Sequence, residues 1–258
     1  MLSQAQRDCV EVVLVSPRNP LNIGAVARAM ANFGFSRLTV VAPYEPHWRE
    51  AKSAVGAPEL LQRAKQAQSL AEAVAACTFV AGTGTLTHRR PEQPVIALPD
   101  LGPIVAPQLQ GEGRLALVFG PEKHGLTRED LSFCNVLIEI PTDPRQPSMN
   151  LGQAVAVCLY EMRCRTSTAD RKVGSSHEIA TAAPSSSDAL DRLAGLIEET
   201  MIAAGYSPRA MQPANRHDLR VLLRCLAPSA LDTRRMLGLF RRILHRLNRA
   251  PGSGNAPR

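Results

Sequence analysis

Two segments of the chain gather residues able to hold and align a polar ligand. The first runs from Ser16 to Phe35, begins Ser-Pro-Arg-Asn-Pro-Leu-Asn-Ile-Gly, and follows the apolar run Val12–Val15. It supplies Asn22, an amide that donates and accepts, and Arg28, a planar cation that stays protonated and offers charge-assisted bonds. The second comprises Leu117-Val-Phe-Gly-Pro-Glu-Lys-His-Gly-Leu126 and then Ile138 to Val155. It supplies the carboxylate Glu122, the hydroxyl Ser148 and the amide Asn150. In both segments Gly, Asn, Pro and Ser stand where a strand ends and a helix begins, the place where an open α/β sheet builds its ligand site. A lone Gly-rich turn would say little. An ordered pair about a hundred residues apart says much more.

Bland readings compete for each residue. Asn22 and Asn150 each precede an apolar-periodic run, where an asparagine caps a helix, and Gln153 stands at the capping-box position after Asn150. Ser148 also reads as a helix cap. Taken alone, Arg28 is a surface arginine on an amphipathic helix and Glu122 a surface carboxylate. His124 is of a residue type that serves as a general base but reads as a loop residue. Gly82-x-Gly84 is a fragment of a dinucleotide fingerprint without its third glycine or the helix that should follow. The sequence has no zinc-ligand spacing and no H-E-x-x-H, so a metal site is not expected, and it has no evident Ser-His-Asp set for covalent catalysis. The six cysteines form no C-x-x-C pair and read as reduced core thiols.

The elements that must position these residues follow from periodicity. Short apolar runs at Val10–Val15, Leu38–Ala42, Thr78–Ala81, Leu115–Phe119 and Val136–Ile140 read as strands buried on both faces. Helical patterns at Ile23–Phe33, Pro58–Val74 and Leu151–Arg163 separate or follow them, and this alternation argues for a parallel α/β sheet. Glycines and tight turns that let a ligand approach the backbone closely are expected at 81–85, 119–122 and 140–143, joined by 147–149.

Beyond residue 165 the character changes. Residues 166–188 are small, polar and unperiodic and read as a flexible linker. Leu190–Ala204, Arg216–Leu226 and Asp232–Asn248 read as helices. From Gly205 to Arg258 there are eleven arginines against only Asp218 and Asp232, so this stretch carries more than the whole chain's formal net charge of +7. A concentrated basic segment points to a polyanion partner, or else to a solvated helical surface. The chain has 258 residues, 45% of them hydrophobic, enough for one domain and a small second one. No run approaches the ~20 apolar residues of a membrane span, and the N-terminus lacks a signal-peptide core. A cytoplasmic location is therefore expected.

The motif residues Asn22, Gly24, Arg28, Gly34, Phe119-Gly120, Glu122, Gly125-Leu126, Ile140-Pro141 and Ser148-Met149-Asn150-Leu151 carry a resemblance. The chain resembles the SPOUT class of methyltransferases, in particular the RNA ribose 2′-O-methyltransferases, and within them the TrmJ-type tRNA (cytidine/uridine-32-2′-O)-methyltransferases. The likeness covers residues 8–165 and extends loosely to the basic tail. It implies a parallel α/β domain over residues 1–165 with a deep C-terminal trefoil knot, the linker 166–188, and a small basic α-helical tRNA-binding extension over 189–258. It also implies a homodimer paired through the first and last helices of the knotted domain. S-adenosyl-L-methionine would lie against Thr83, Gly84, Thr85, Gly120, Ile140, Pro147, Ser148, Met149 and Asn150. Arg28, Asn22, Glu122 and Ser148 would serve the reaction, with no metal. The expected activity is 2′-O-methylation of a tRNA ribose, with nucleotide 32 favoured by the layout of the tail. Two alternatives stay open: another tRNA or rRNA ribose, and a catalytically silent RNA-binding protein of the same fold.

Overall fold

The run Val10–Val15 forms the first strand, and all six of its residues are buried. Val10, Val12 and Leu14 join one apolar cluster, while Val13 and Val15 join another. A strand covered on both faces needs apolar residues in succession rather than in alternation. Glu11 is the exception. Its carboxylate is buried but accepts from the Arg37 guanidinium at 2.8 Å and the Thr39 hydroxyl at 2.6 Å, so the charge is paired rather than stranded.

The computed structural model describes residues 2–84, 91–164 and 183–249. In chain order the elements are α1 (Gln4–Arg7), β1 (Val10–Val15), α2 (Pro20–Phe33), β2 (Arg37–Val41), α3 (Pro58–Arg63), β3 (Lys65–Ala67), α4 (Leu70–Val74), β4 (Phe79–Thr83), β5 (Val95–Ala97), α5 (Leu101–Gln108), β6 (Leu115–Phe119), α6 (Arg128–Leu131), β7 (Val136–Glu139), α7 (Leu151–Cys164), α8 (Ser187–Ala203), α9 (Gln212–Leu226) and α10 (Ala230–Arg249). The strands form one sheet in the order β3-β2-β1-β6-β4-β7-β5, and every pairing is parallel. Buried residues of α2, α3, α5 and α7 cover one face, and those of α4 and α6 the other. The chain builds outward from β1 through β2 to β3, then crosses to the opposite side. The carboxyl ends of β1, β6 and β4 flank that reversal, where an open sheet leaves a crevice.

Helices α2 and α7 lie against each other at a contact of small residues. A Cβ on Gly152 would come within 2.8 Å of the Ala25 Cβ, so only glycine permits this approach. The ring of Phe33 meets that of Tyr160 edge-on, with centroids 6.1 Å apart.

Three expectations need correction. The single helix at Pro58–Val74 is two short helices with β3 between them. Ala64 turns extended, Lys65–Ala67 pairs with Thr39–Val41, and the Ser69 hydroxyl caps α4 by accepting from Glu72 N–H. No Gly or Pro interrupts that stretch after Pro58, so local propensity favours helix, and pairing to the sheet edge overrides it. β5, also at an edge, is an additional strand: the short apolar run Val95-Ile96-Ala97-Leu98 lies between Pro94 and Pro99, and proline is confined to edge strands. Helix α2 starts at Pro20 rather than Ile23, because Asn19 is its cap and accepts from Leu21 N–H. A proline at the first helical position is tolerated there.

Cys77, Cys134 and Cys158 are buried, Cys9 is half-buried, and Cys164 and Cys225 are exposed, with all six free. Burial pushes the Cys77, Cys134 and Cys158 thiols up to about 12, so these three behave as small hydrophobes. The exposed pair departs from the expectation of core thiols.

The C-terminal helices do not stand apart from the sheet. Of the expected linker, residues 166–182 lie outside the described residues. Its end is held: Ser187 N–H donates to Cys77 O at 2.7 Å and Asp188 N–H to Ala75 O at 3.1 Å. Arg224, 2% exposed, donates to Asp191 and to the Ser187 hydroxyl, each at 3.0 Å. Arg220 pairs with Glu129, and both guanidinium groups lie over the Phe133 ring, at 4.5 and 5.2 Å from its centroid. Part of the basic charge is thus spent on docking α9 to the α6 side of the sheet. Arg224→Ala is expected to cost stability near the low end of the about 3–5 kcal/mol typical of breaking a buried pair, since Asp191 is partly solvated. Urea unfolding should show a lower midpoint, and an unchanged midpoint refutes the assignment.

Candidate active site

A cavity of about 560 Å³ opens at the carboxyl ends of β4, β6 and β7. Its walls are Thr83-Gly84, the turn Phe119–Gly125, and the segment from Glu139 to Met149. Each wall is built by local chemistry. The Thr83 hydroxyl donates to Val118 O at 3.1 Å, which ties the end of β4 to β6. Gly125 takes a φ of +63°, and its N–H closes the turn onto Pro121 O at 2.8 Å. A Cβ on Gly120 would fall 2.3 Å from Gly125 C and Leu126 N, so the turn folds over a bare backbone. In the third wall, the Thr142 hydroxyl donates to Pro147 O at 3.1 Å and Arg145 pairs with Asp143 at 2.9 Å. Gly82 serves packing within β4, where a Cβ would come within 2.6 Å of Cys134 Sγ.

One wall is tied to α2 by a chain of amides. Asn22 Nδ2 donates to Glu122 Oε1 at 2.7 Å. Asn150 Nδ2 donates to Asn22 Oδ1 at 3.0 Å. Asn150 Oδ1 accepts from Gly152 N–H at 2.9 Å and so caps α7. Glu122 Oε2 accepts from Arg18 N–H at 3.3 Å. The capping reading of Asn22 is set aside: Asn19 does that work, and Asn22 turns both ends of its amide to the site. For Asn150 capping and network hold together. Burial pulls the Glu122 carboxyl upward, but the donors from Asn22 and from the backbone of Glu122, Arg18 and Asn19 outweigh it, leaving its pKa below the ordinary carboxylate value.

The sequence-expected residues fall into three groups. Thr83, Gly84, Gly120, Glu122, Ile140, Pro147, Ser148 and Met149 line the cavity. Asn22 and Asn150 stand behind it and fix Glu122. Thr85 lies outside the described residues. Arg28 is exposed on α2 and is not among the lining residues of its own chain. It lies six residues past Asn22, about 9 Å along the helix axis. The expected cap at Ser148 falls to Asn150. His124, read as a loop residue, is part of the lining. Sequence reading missed Asn19 and the Arg18 N–H. Asn19-Pro20 before an apolar run was the available signal, since asparagine followed by a first-position proline marks a helix start.

A model of the SpoU rRNA Methylase family matches residues 10–160. The chain belongs to this family. A tRNA (cytidine/uridine/adenosine-2′-O-)-methyltransferase TrmJ of Pseudomonas aeruginosa is 40% identical over 157 residues, which are 60% of this chain and 61% of that protein. A tRNA (cytidine/uridine-2′-O-)-methyltransferase TrmJ of Pectobacterium atrosepticum is 30% identical over 234 residues, covering 90% of this chain and 95% of its own. The crystal structure of TrmJ from Z. mobilis ZM4 superposes with a TM-score of 0.77 at 30% identity, over 90% of this chain and 98% of that one. The SpoU match spans the sheet and the cavity walls. The wider matches reach into the α8–α10 helices.

The Glu122 links carry a pH signature. A carboxylate with a depressed folded pKa contributes stability that is present above the unfolded value of roughly 4.3 and lost as pH falls through the lower folded value. Glu122→Gln should therefore melt below the wild type at neutral pH, and the gap should close on the acid side of the ordinary carboxylate range. A gap that is constant across pH would contradict an ionised Glu122 as the anchor.

Proposed function

We propose that this chain is an S-adenosyl-L-methionine-dependent 2′-O-methyltransferase acting on a ribose of tRNA, at nucleotide 32 of the anticodon loop. The observation that carries the reading is the amide-linked carboxylate of Glu122, at one and the same time a wall of the cavity and a partner of Asn22. The cavity fits the cofactor in its size range and in its lining of glycine backbone, Phe119, Ile140 and Leu151. Bound there, the cofactor supplies a sulfonium methyl and its own leaving group. The family's deep trefoil knot is part of the proposal, with the segment after β7 as the threaded piece.

The protein's task is alignment, since displacement at a methyl carbon needs oxygen, carbon and sulfur in line. Gly84, Gly120 and the 140–149 segment would hold the donor by close backbone approach. Ser148, exposed in the third wall, would offer its hydroxyl to the donor or the ribose. Glu122, held ionised below the ordinary range, is a weak base but a strong acceptor, so orienting the ribose hydroxyl suits it better than removing the proton. Arg28 would act on the RNA side by a charge-assisted bond that eases charge build-up on the attacking oxygen. It does not line its own chain's cavity, and in this reading a second copy would bring it there. The α2 and α7 helices leave Leu21 56% and Tyr160 48% exposed, apolar side chains that a two-fold pairing would cover.

Among the described residues the basic tail supplies further support. Arg234, Arg235, Arg241, Arg242, Arg246 and Arg249 are all exposed on α10, and only Arg235 is engaged in an ion pair. Such a surface gives tRNA its sequence-independent affinity. The family model's description, an rRNA methylase, favours rRNA ribose as the second reading.

Arg28→Ala should lower turnover roughly 10²–10³-fold while cofactor affinity stays near wild type, and Arg28→Lys should not rescue the fork geometry. Ribose-methylation mapping of total tRNA from a deletion strain, complemented with wild type or Arg28→Ala, tests site and substrate together. A tRNA profile unaltered by the deletion overturns the reading, and a mark restored by Arg28→Ala removes the residue from the machinery. Light scattering should show a dimer in solution. A fully active stable monomer contradicts the pairing.

A further inference from the structure

Beside Glu122, outside the cofactor cavity, stands a ring-and-cation pair with no structural task. Tyr44 is 72% exposed, and the Arg18 guanidinium carbon lies 5.7 Å from the centre of its ring. The Arg18 guanidinium has no hydrogen bond or ion pair among the described residues, and neither side chain lines the cavity. A core role is excluded by exposure.

The pair is nevertheless held in place by backbone. Ser16 and Ala42, each just past the last residue of its strand, take φ angles of 44° and 42°. Non-glycine residues in this left-handed region are strained and persist only where surrounding bonds over-determine them. Here the sheet ladder does so: Ser16 N–H donates to Val41 O at 2.8 Å and Ala42 N–H to Ala67 O at 3.0 Å. Two matching kinks thus lie on adjacent strands. The loops they launch are stitched together by Tyr44 N–H donating to Pro17 O at 3.3 Å, and the first loop is stitched to the site by Arg18 N–H donating to Glu122 Oε2 at 3.3 Å. The ring and the guanidinium are therefore registered to Glu122 through three residues of backbone.

We propose that Tyr44 and Arg18 form a stacking platform for an unpaired nucleotide of the substrate RNA next to the methylated ribose. This rests on the function proposed above. An exposed aromatic face accepts any nucleobase by stacking, and an adjacent planar cation adds both cation–π attraction and a bond to phosphate. Single-stranded loops, whose bases are already unstacked, are the RNA elements that present such a face. Tyr44 and Arg18 are positioning residues. They act on where the ribose sits, and the reacting atoms are handled by the groups around the cavity.

The test is steady-state methylation of tRNA purified from a deletion strain by full-length protein carrying Tyr44→Ala, Tyr44→Leu, Tyr44→Phe or Arg18→Gln. Tyr44→Ala should raise KM for tRNA roughly tenfold, the equivalent of one lost base stack, with the loss falling on KM rather than kcat and with cofactor affinity unchanged. Tyr44→Leu, which keeps bulk without a π-face, should resemble Tyr44→Ala, and Tyr44→Phe should recover most of the KM. Arg18→Gln keeps the backbone N–H to Glu122 and should flatten the salt dependence of tRNA binding by about one phosphate contact. If wild type methylates tRNA but Tyr44→Ala has an unchanged KM, or Tyr44→Leu recovers as fully as Tyr44→Phe, the platform is overturned and the enzyme assignment stands. If wild type methylates no tRNA, the assignment falls and the platform with it.

Discussion

The site depends on what the Asn22 side chain is free to do. An amide at the start of a helix ordinarily satisfies one of the open backbone N–H groups there. In this chain Asn19 takes that duty three residues earlier, and Pro20 has no N–H to satisfy. Asn22 is thereby released to donate to Glu122 and to accept from Asn150. One side chain joins α2, the turn after β6 and the start of α7. These elements are far apart in sequence, and each is anchored on a different part of the sheet.

That joint requires close approach elsewhere. Asn150 reaches Asn22 only because Gly152 lets α7 settle onto Ala25 of α2. Glu122 reaches Asn22 only because Gly120 lets the following turn fold back over its own backbone. The parallel sheet sets the frame: β1 carries α2 and β6 carries Glu122, and the two strands are neighbours with Leu14 opposite Phe119. Glycines and asparagines that look like scattered turn residues in the sequence thus belong to one tightly packed junction. Its polar groups are exposed or half-buried, so the hydrogen bonds among them fix geometry rather than offset burial.

How much of this was legible varied with the origin of the signal. Strands buried on both faces announced themselves as apolar runs, and β1 and β6 were read to the residue. The edge strands β3 and β5 were not, because Lys65-Gln66-Ala67 carries no strand pattern and becomes a strand only by pairing with Thr39–Val41. The cavity walls were legible as turn residues at strand ends. The division of labour among Asn19, Asn22 and Asn150 was not, since all three suit a cap and only the fold shows which amide meets which partner. The Arg18–Tyr44 pair was invisible for a similar reason: the two residues meet through strained turns that no local residue preference encodes, at Ser16 and Ala42 rather than at glycines.

The tail teaches the same lesson about charge. Counted along the sequence, its arginines form one basic block. In the structure they divide by burial and partner. Arg224 and Arg220 have acidic partners and the Phe133 ring beneath them, so their charge is largely neutralised at the contact with the sheet domain. Arg216 pairs with the buried carboxylate of Glu198. The arginines of α10 stay in solvent, and Arg234, Arg241, Arg242, Arg246 and Arg249 have no ion pair among the described residues. A helix whose cations are unpaired keeps its full attraction for a polyanion, and one whose cations are paired has exchanged that attraction for a fixed position. The extension does both with one residue type. Its inner arginines fix α9 on the sheet domain, and its outer ones remain in solvent on α10.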